Sequence, residues 1–86
     1  MPGQRRGTIR FMLSADGRRG PVRLAGDFTH WHPVSMRKRG DTYSVTVPAT
    51  RGSHEYRFLV DGTWIADPDN VNTSVTPLGV NSVAML

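Results

Sequence analysis

Cysteine is absent from this chain, which excludes disulfide staples, thiolate zinc sites and cysteine nucleophiles. Stability must then come from packing or association, because 86 residues permit one modest core that buries roughly 60% of the unfolded surface. Long apolar runs are also missing. Nothing approaches the roughly 18 to 20 residues of a membrane-spanning helix. The opening MPGQRRG leads into an alternating TIRFML rather than a secretory apolar region, so a cytoplasmic location is expected. No stretch long enough for a helix keeps a 3.6-residue apolar period, and neither a glycine-rich phosphate loop nor a G-x-S-x-G elbow occurs. The chain has no internal repeat, low-complexity tract or interdomain linker.

Acidic charge is scarce in the first half. Residues 1–39 hold nine basic and two acidic side chains, and residues 40–86 hold two basic and five acidic, for a net charge of +4. Such a bias attracts anionic partners in principle. Yet Arg5 and Arg6 lie near the chain end, Arg18 and Arg19 in a glycine-flanked turn, and Arg37, Lys38 and Arg39 just before another. Solvated turn chemistry is the expected use of this charge, and nucleic acid is not an expected partner.

Turns organise what is present. Glycines and prolines cut the chain at SADGRRGP, KRGD, PATRG and VDG. Between the cuts lie strand candidates over residues 8–13, 22–25, 34–37, 43–47, 54–60 and 80–85, with a short one over 63–65. About seven short antiparallel strands in one small domain predict an all-β sandwich or small barrel. Residues 1–7 read as a flexible basic N-terminus and residues 8–86 as a single domain. Alternation sets Tyr43, Val45 and Val47 on one face against Ser44 and Thr46. It likewise turns Tyr56, Phe58 and Val60 inward, leaving Glu55, Arg57 and Leu59 outward.

The two tryptophans pose the functional question. Asp61-Gly62 predicts a two-residue hairpin turn, so Trp64 begins a strand folding back along the one that carries Arg57. Trp31 follows the polar segment GDFTH. A tryptophan can simply cap a core, but Phe11, Phe28, Tyr43, Tyr56 and Phe58 already supply one. Exposed, rigid aromatic area suits a flat apolar partner surface: a base, a peptide side chain or the C–H face of a pyranose ring.

Other constellations have plainer readings. His30 and His32 share a face with Asp27 nearby, but no third ligand is predicted to converge, so a polar loop rim is expected and no metal. Asp67-Pro68-Asp69-Asn70 predicts an Asx-type turn. Asn72-Thr73-Ser74 matches a glycosylation pattern and Arg39-Gly40-Asp41 an integrin-type tripeptide, but neither suits a cytoplasmic chain. Glycoside hydrolysis needs two carboxylates about 5 to 9.5 Å apart at a cleft. Asp61, Asp67 and Asp69 all sit in turn-like contexts, so no enzymatic activity is expected.

Three segments, VRLAGDFTHW ending at Trp31, HEYRFLVDGTWIADP from His54 to Pro68, and LGVNSV from Leu78 to Val83, together resemble carbohydrate-binding module family 48. That family includes the glycogen-binding domain of the AMP-activated protein kinase beta subunit and the N-terminal domains of isoamylases and glycogen-branching enzymes. The resemblance implies an immunoglobulin-like β-sandwich that binds α-1,4-linked glucans without catalysis and without a cofactor. Position by position, it implies that Trp31 and Trp64 stack on sugar rings and that Arg57 replaces a lysine that bonds sugar hydroxyls. Leu78 would reach into the curve of the glucan, and Asn81 would hydrogen-bond it. The stretch from Trp64 to Leu78 is one residue longer than in the kinase-type domains, and LGVN lacks the threonine of their L-G-T-V-N. The implied partners are glycogen, starch or a maltooligosaccharide and an associated glucan-active enzyme or regulatory protein, with no membrane among them. The competing expectation is an interaction or regulatory β-sandwich that has lost glucan binding and buries its tryptophans, or pairs a sheet edge, in a protein contact.

Overall fold

The computed structural model describes residues 6–86. The expectation of a flexible N-terminus falls largely on residues 1–5, outside the described residues. Arg6 and Gly7 belong to the first strand, opposite Thr50 and Ala49.

Among the described residues the chain forms nine strands and one 3-10 turn. These are β1 (Arg6–Ser14), β2 (Val22–Gly26), the 3-10 turn (Asp27–Thr29), β3 (Val34–Ser35), β4 (Arg37–Arg39), β5 (Thr42–Thr50), β6 (Ser53–Val60), β7 (Thr63–Ile65), β8 (Thr73–Thr76) and β9 (Gly79–Met85). All pairings are antiparallel. A three-stranded sheet runs β1-β5-β4, and a six-stranded sheet runs β3-β2-β6-β9-β8 with β7 also paired to β6. The all-β sandwich is therefore the observed architecture.

Alternation explains the core. Phe11 and Leu13 of β1 and Tyr43 and Val47 of β5 face Val22 and Leu24 of β2 and Tyr56 and Phe58 of β6, all buried. Phe58, Leu13 and Leu24 are fully enclosed. The Phe11 ring stacks on Phe28 at 5.1 Å and meets Tyr56 edge-on at 4.6 Å. Each such aromatic pair contributes about 0.5 to 1.5 kcal/mol beyond its buried area.

Two details depart from the strand expectation. Residues 34–37 do not form one strand: Val34 pairs with Leu24 in the larger sheet, whereas Arg37 pairs with Ser44 in the smaller. Met36 is the crossing point, its side chain buried and its N–H donating to the Val22 carbonyl at 2.9 Å. The second departure is β8, which lies outside the expected strands. It pairs with β9 from Thr73 opposite Ser82 to Thr76 opposite Gly79.

Candidate functional site

The site forms on the outward face of the six-stranded sheet. Asp61 and Gly62 both take positive φ, 47° and 84°, the combination a two-residue hairpin with native strand twist requires. That turn sets Trp64 opposite Leu59, and Trp64 remains 44% exposed.

Trp31 arrives by a different route. After the 3-10 turn, His30 and Trp31 both adopt left-handed backbone, φ 53° and 61°, which non-glycine residues enter at a cost of roughly 1 to 2 kcal/mol each. Hydrogen bonds hold that geometry: the Trp31 N–H donates to the Gly26 carbonyl at 2.9 Å and the His30 N–H to the Asp27 carbonyl at 3.2 Å. Thr29 closes the same loop, its hydroxyl accepting from the Gly26 N–H at 3.1 Å. The strain swings the indole outward, where it is 40% exposed.

Arg57, on the outward side of β6, lines the same hollow as both tryptophans. Its Nε donates to Oδ1 of Asn81 on β9, and Nδ2 of Asn81 donates to Oε1 of Glu55 at 2.9 Å. Asn81 is buried. Its amide is thus engaged by a cation on one side and a carboxylate on the other, which fixes the plane and direction of the guanidinium. Gly79 permits this approach. Its φ is 129°, and a Cβ there would lie 3.1 Å from a terminal nitrogen of Arg57.

Trp31, Arg57, Trp64, Thr76, Pro77, Leu78 and Asn81 line one hollow of about 560 Å3. All five residues singled out in the sequence therefore converge. Leu78 projects at 90% exposure from the two-residue turn joining β8 to β9, braced by the Thr76 hydroxyl, which donates to the Gly79 carbonyl at 2.8 Å. Sequence reasoning missed Thr76, Pro77 and the orienting role of Glu55. Alternation placed Glu55 outward, but only the β6–β9 register reveals its partner.

Behind the hollow, Asp67 anchors the segment between β7 and β8. The Tyr56 hydroxyl donates to its Oδ2 at 2.6 Å, its N–H donates to Oγ of Ser82 at 2.7 Å, and its Oδ1 accepts from the Asp69 N–H at 2.9 Å, the expected Asx-type turn. Burial and the Asp67 carboxylate together push the Tyr56 phenol above its ordinary range. His30 and His32 gain no metal-binding company: among the described residues no group of three histidine, aspartate, glutamate or cysteine side chains could hold an ion.

The family model for the glycogen recognition site of AMP-activated protein kinase matches residues 8–82. The chain is 31% identical over 67 residues to the beta-1 subunit of 5'-AMP-activated protein kinase from Rattus norvegicus and to its Homo sapiens counterpart, a match covering 78% of this chain and 24% of each subunit. It therefore spans about a quarter of those relatives' length. Among solved structures, a maltogenic amylase from S. marinus superposes with a TM-score of 0.77 at 22% identity, over 98% of this chain and 14% of the amylase, a likeness of fold. A putative alpha amylase from Salmonella typhimurium gives a TM-score of 0.72 at 27% identity, over 92% of this chain and 13% of that one.

Proposed function

The chain belongs to the family of the glycogen recognition site of AMP-activated protein kinase, and from that premise we propose that it binds α-1,4-linked glucans through Trp31, Trp64 and Arg57. As a carbohydrate-binding module it is non-catalytic. The observation that carries the reading is the convergence of two exposed indoles and an oriented guanidinium on one hollow. A pyranose ring presents axial C–H bonds on its face and hydroxyls at its rim. Indole area suits the face, and Arg57 offers donors to the rim. Leu78, highly exposed, supplies an apolar contact at the hollow.

In this reading Asn81 acts chiefly through Arg57, because its amide already serves Arg57 and Glu55. Arginine in place of a compact ammonium presents a planar fork, so the hydroxyl pattern it favours differs from a lysine's. The proposed ligand is glycogen, starch or a maltooligosaccharide, and the proposed purpose is to bring an associated glucan-active enzyme or regulatory protein to it.

The test is a titration of maltoheptaose followed by tryptophan fluorescence, with cellohexaose as the geometric control. Saturable change with the α-glucan alone is expected. No change at several millimolar, in a folded sample, would exclude this site as a glucan platform and favour a protein contact.

A further inference from the structure

Arg37 and Arg39 belong to β4, and its register with β5, together with that of β5 with β1, brings them onto one sheet face with Arg10. Arg37 lies opposite Ser44 and Arg39 opposite Thr42, while Arg10 lies opposite Thr46. Since Tyr43 and Val47 of β5 are buried, Thr42, Ser44 and Thr46 and their partners face away from the core. All three arginines are exposed, and with Ser35, Ser44 and Thr46 they line a hollow of about 340 Å3.

No carboxylate answers them. β1, β4 and β5 contain no aspartate or glutamate, and no ion pair reaches these arginines among the described residues. Lys38 provides the contrast. It lies opposite Tyr43 and, with Arg18 and Arg19, lines a separate hollow that contains Asp16 and Asp41. That hollow mixes three cations with two carboxylates, whereas the Arg10, Arg37 and Arg39 hollow has none. On the β1-β5-β4 face, Arg37 and Arg39 stand two residues apart on one side of a strand, so their positive charge is concentrated on one surface.

We propose that the outward face of the three-stranded sheet is a docking surface for an acidic polypeptide segment, held by Arg10, Arg37 and Arg39. Guanidinium forks match carboxylates in bidentate geometry, and the hydroxyls of Ser44 and Thr46 between them can donate to the remaining lone pairs. Nucleic acid fits less well. The face carries no aromatic side chain for a base to stack on, and even with Arg6, which shares the outward face of β1, four cations fall short of the roughly 6 to 10 phosphate contacts that sustain sequence-independent binding. An anionic bilayer is also a poorer match, because polybasic membrane segments cluster about four to eight cations, whereas only three arginines line this hollow. This face lies on the sheet opposite to the one that carries Trp31 and Trp64, so the inference does not rest on the glucan reading, and both faces can be occupied together.

The experiment measures fluorescence anisotropy of a labelled oligoglutamate peptide against the 86-residue chain at about 50 mM salt, where screening is modest. The Arg10→Gln, Arg37→Gln, Arg39→Gln triple variant is compared with an Arg18→Gln, Arg19→Gln, Lys38→Gln control that loses the same charge. Affinity is expected to fall about tenfold or more in the first and less than about threefold in the second. Arg37→Lys, which keeps the charge and removes the fork, is expected to weaken binding about two- to fivefold and guards against misfolding of the triple variant. Equal weakening in the two triple variants would reduce the effect to net charge and overturn the proposal. So would absence of binding by the unmodified chain, or tighter arginine-dependent binding of a single-stranded oligonucleotide or of phosphatidylserine vesicles.

Discussion

The carboxylate of Asp27 lies 2.7 Å from Nδ1 of His54, across 27 residues of sequence. Its second oxygen accepts from the Glu55 N–H at 2.9 Å, so one side chain ties the start of the Trp31 loop to β6. The other imidazole nitrogen, Nε2, lies 2.7 Å from the Thr50 carbonyl. Both ring nitrogens thus face acceptors, and only the imidazolium can donate to both. The Thr50 carbonyl and the Asp27 carboxylate accordingly raise the His54 pKa above 6.5, against the opposing effect of desolvation.

Stability should therefore depend on pH with a definite sign. A raised folded-state pKa means the protonated ring binds its proton more tightly when folded, so this contribution is complete below pH 6.5 and is lost as pH rises through the folded value. Arg6 and His30 line the same hollow, and the Phe28 ring stands edge-on to the imidazole at 5.7 Å. The thermal midpoint is expected to fall as pH rises above about 6.5, and Asp27→Asn to flatten that slope while costing about 1 to 2 kcal/mol. A slope unchanged in Asp27→Asn would assign the titration elsewhere.

Glucan affinity is expected to be modest. An open hollow lacks the enclosure of a deep pocket, which suggests a Kd of about 10 μM to 1 mM, or about 4 to 7 kcal/mol. Trp31→Ala and Trp64→Ala should each weaken binding by about 1 to 3 kcal/mol while leaving the fold intact, since both indoles are near half exposed. Calorimetric titration with maltoheptaose checks this, and unchanged affinity in a folded double variant would remove both from the site.

Much of the fold was legible because β5 and β6 alternate and Asp61-Gly62 marks its hairpin. The rest needed register. A one-residue crossing at Met36 has no compositional signature, and NTSVTP, with its hydroxyls and closing proline, gives β8 no buried face to announce it. The tryptophans and Arg57 could be found from polar turns and alternation. Asp27–His54, Glu55–Asn81 and the Arg10–Arg37–Arg39 face could not, because each joins residues at least 26 positions apart through pairing that local sequence does not encode.

Asn81 supplies a third prediction. Replacing it with alanine leaves the Arg57 Nε and the Glu55 carboxylate without their shared partner at a largely buried position. A stability loss of about 1 to 3 kcal/mol is expected, with weaker glucan binding because the guanidinium is no longer aimed. Glu55→Gln retains an acceptor for the amide and should preserve both properties far better. If Asn81→Ala weakens binding without any loss of stability, the amide acts on the sugar directly rather than through Arg57.

Gly26 tests how tightly the Trp31 loop depends on the core. Its backbone is extended, φ −165° and ψ 179°, so an alanine would meet no conformational penalty. Space is the obstacle: a Cβ would stand 2.7 Å from the Glu55 carbonyl oxygen and also against the Phe28 ring. A ring can turn aside, but the carbonyl belongs to β6, which pairs with β2 at this very position. Gly26→Ala must therefore separate β2 from β6 where the Gly26 carbonyl also receives the Trp31 N–H. A loss of about 2 to 3 kcal/mol is expected, together with a shift in Trp31 emission measured in a Trp64→Phe background. A destabilised variant whose Trp31 emission stayed unchanged would show that the indole is positioned from its own loop, independently of the strand pair beneath it.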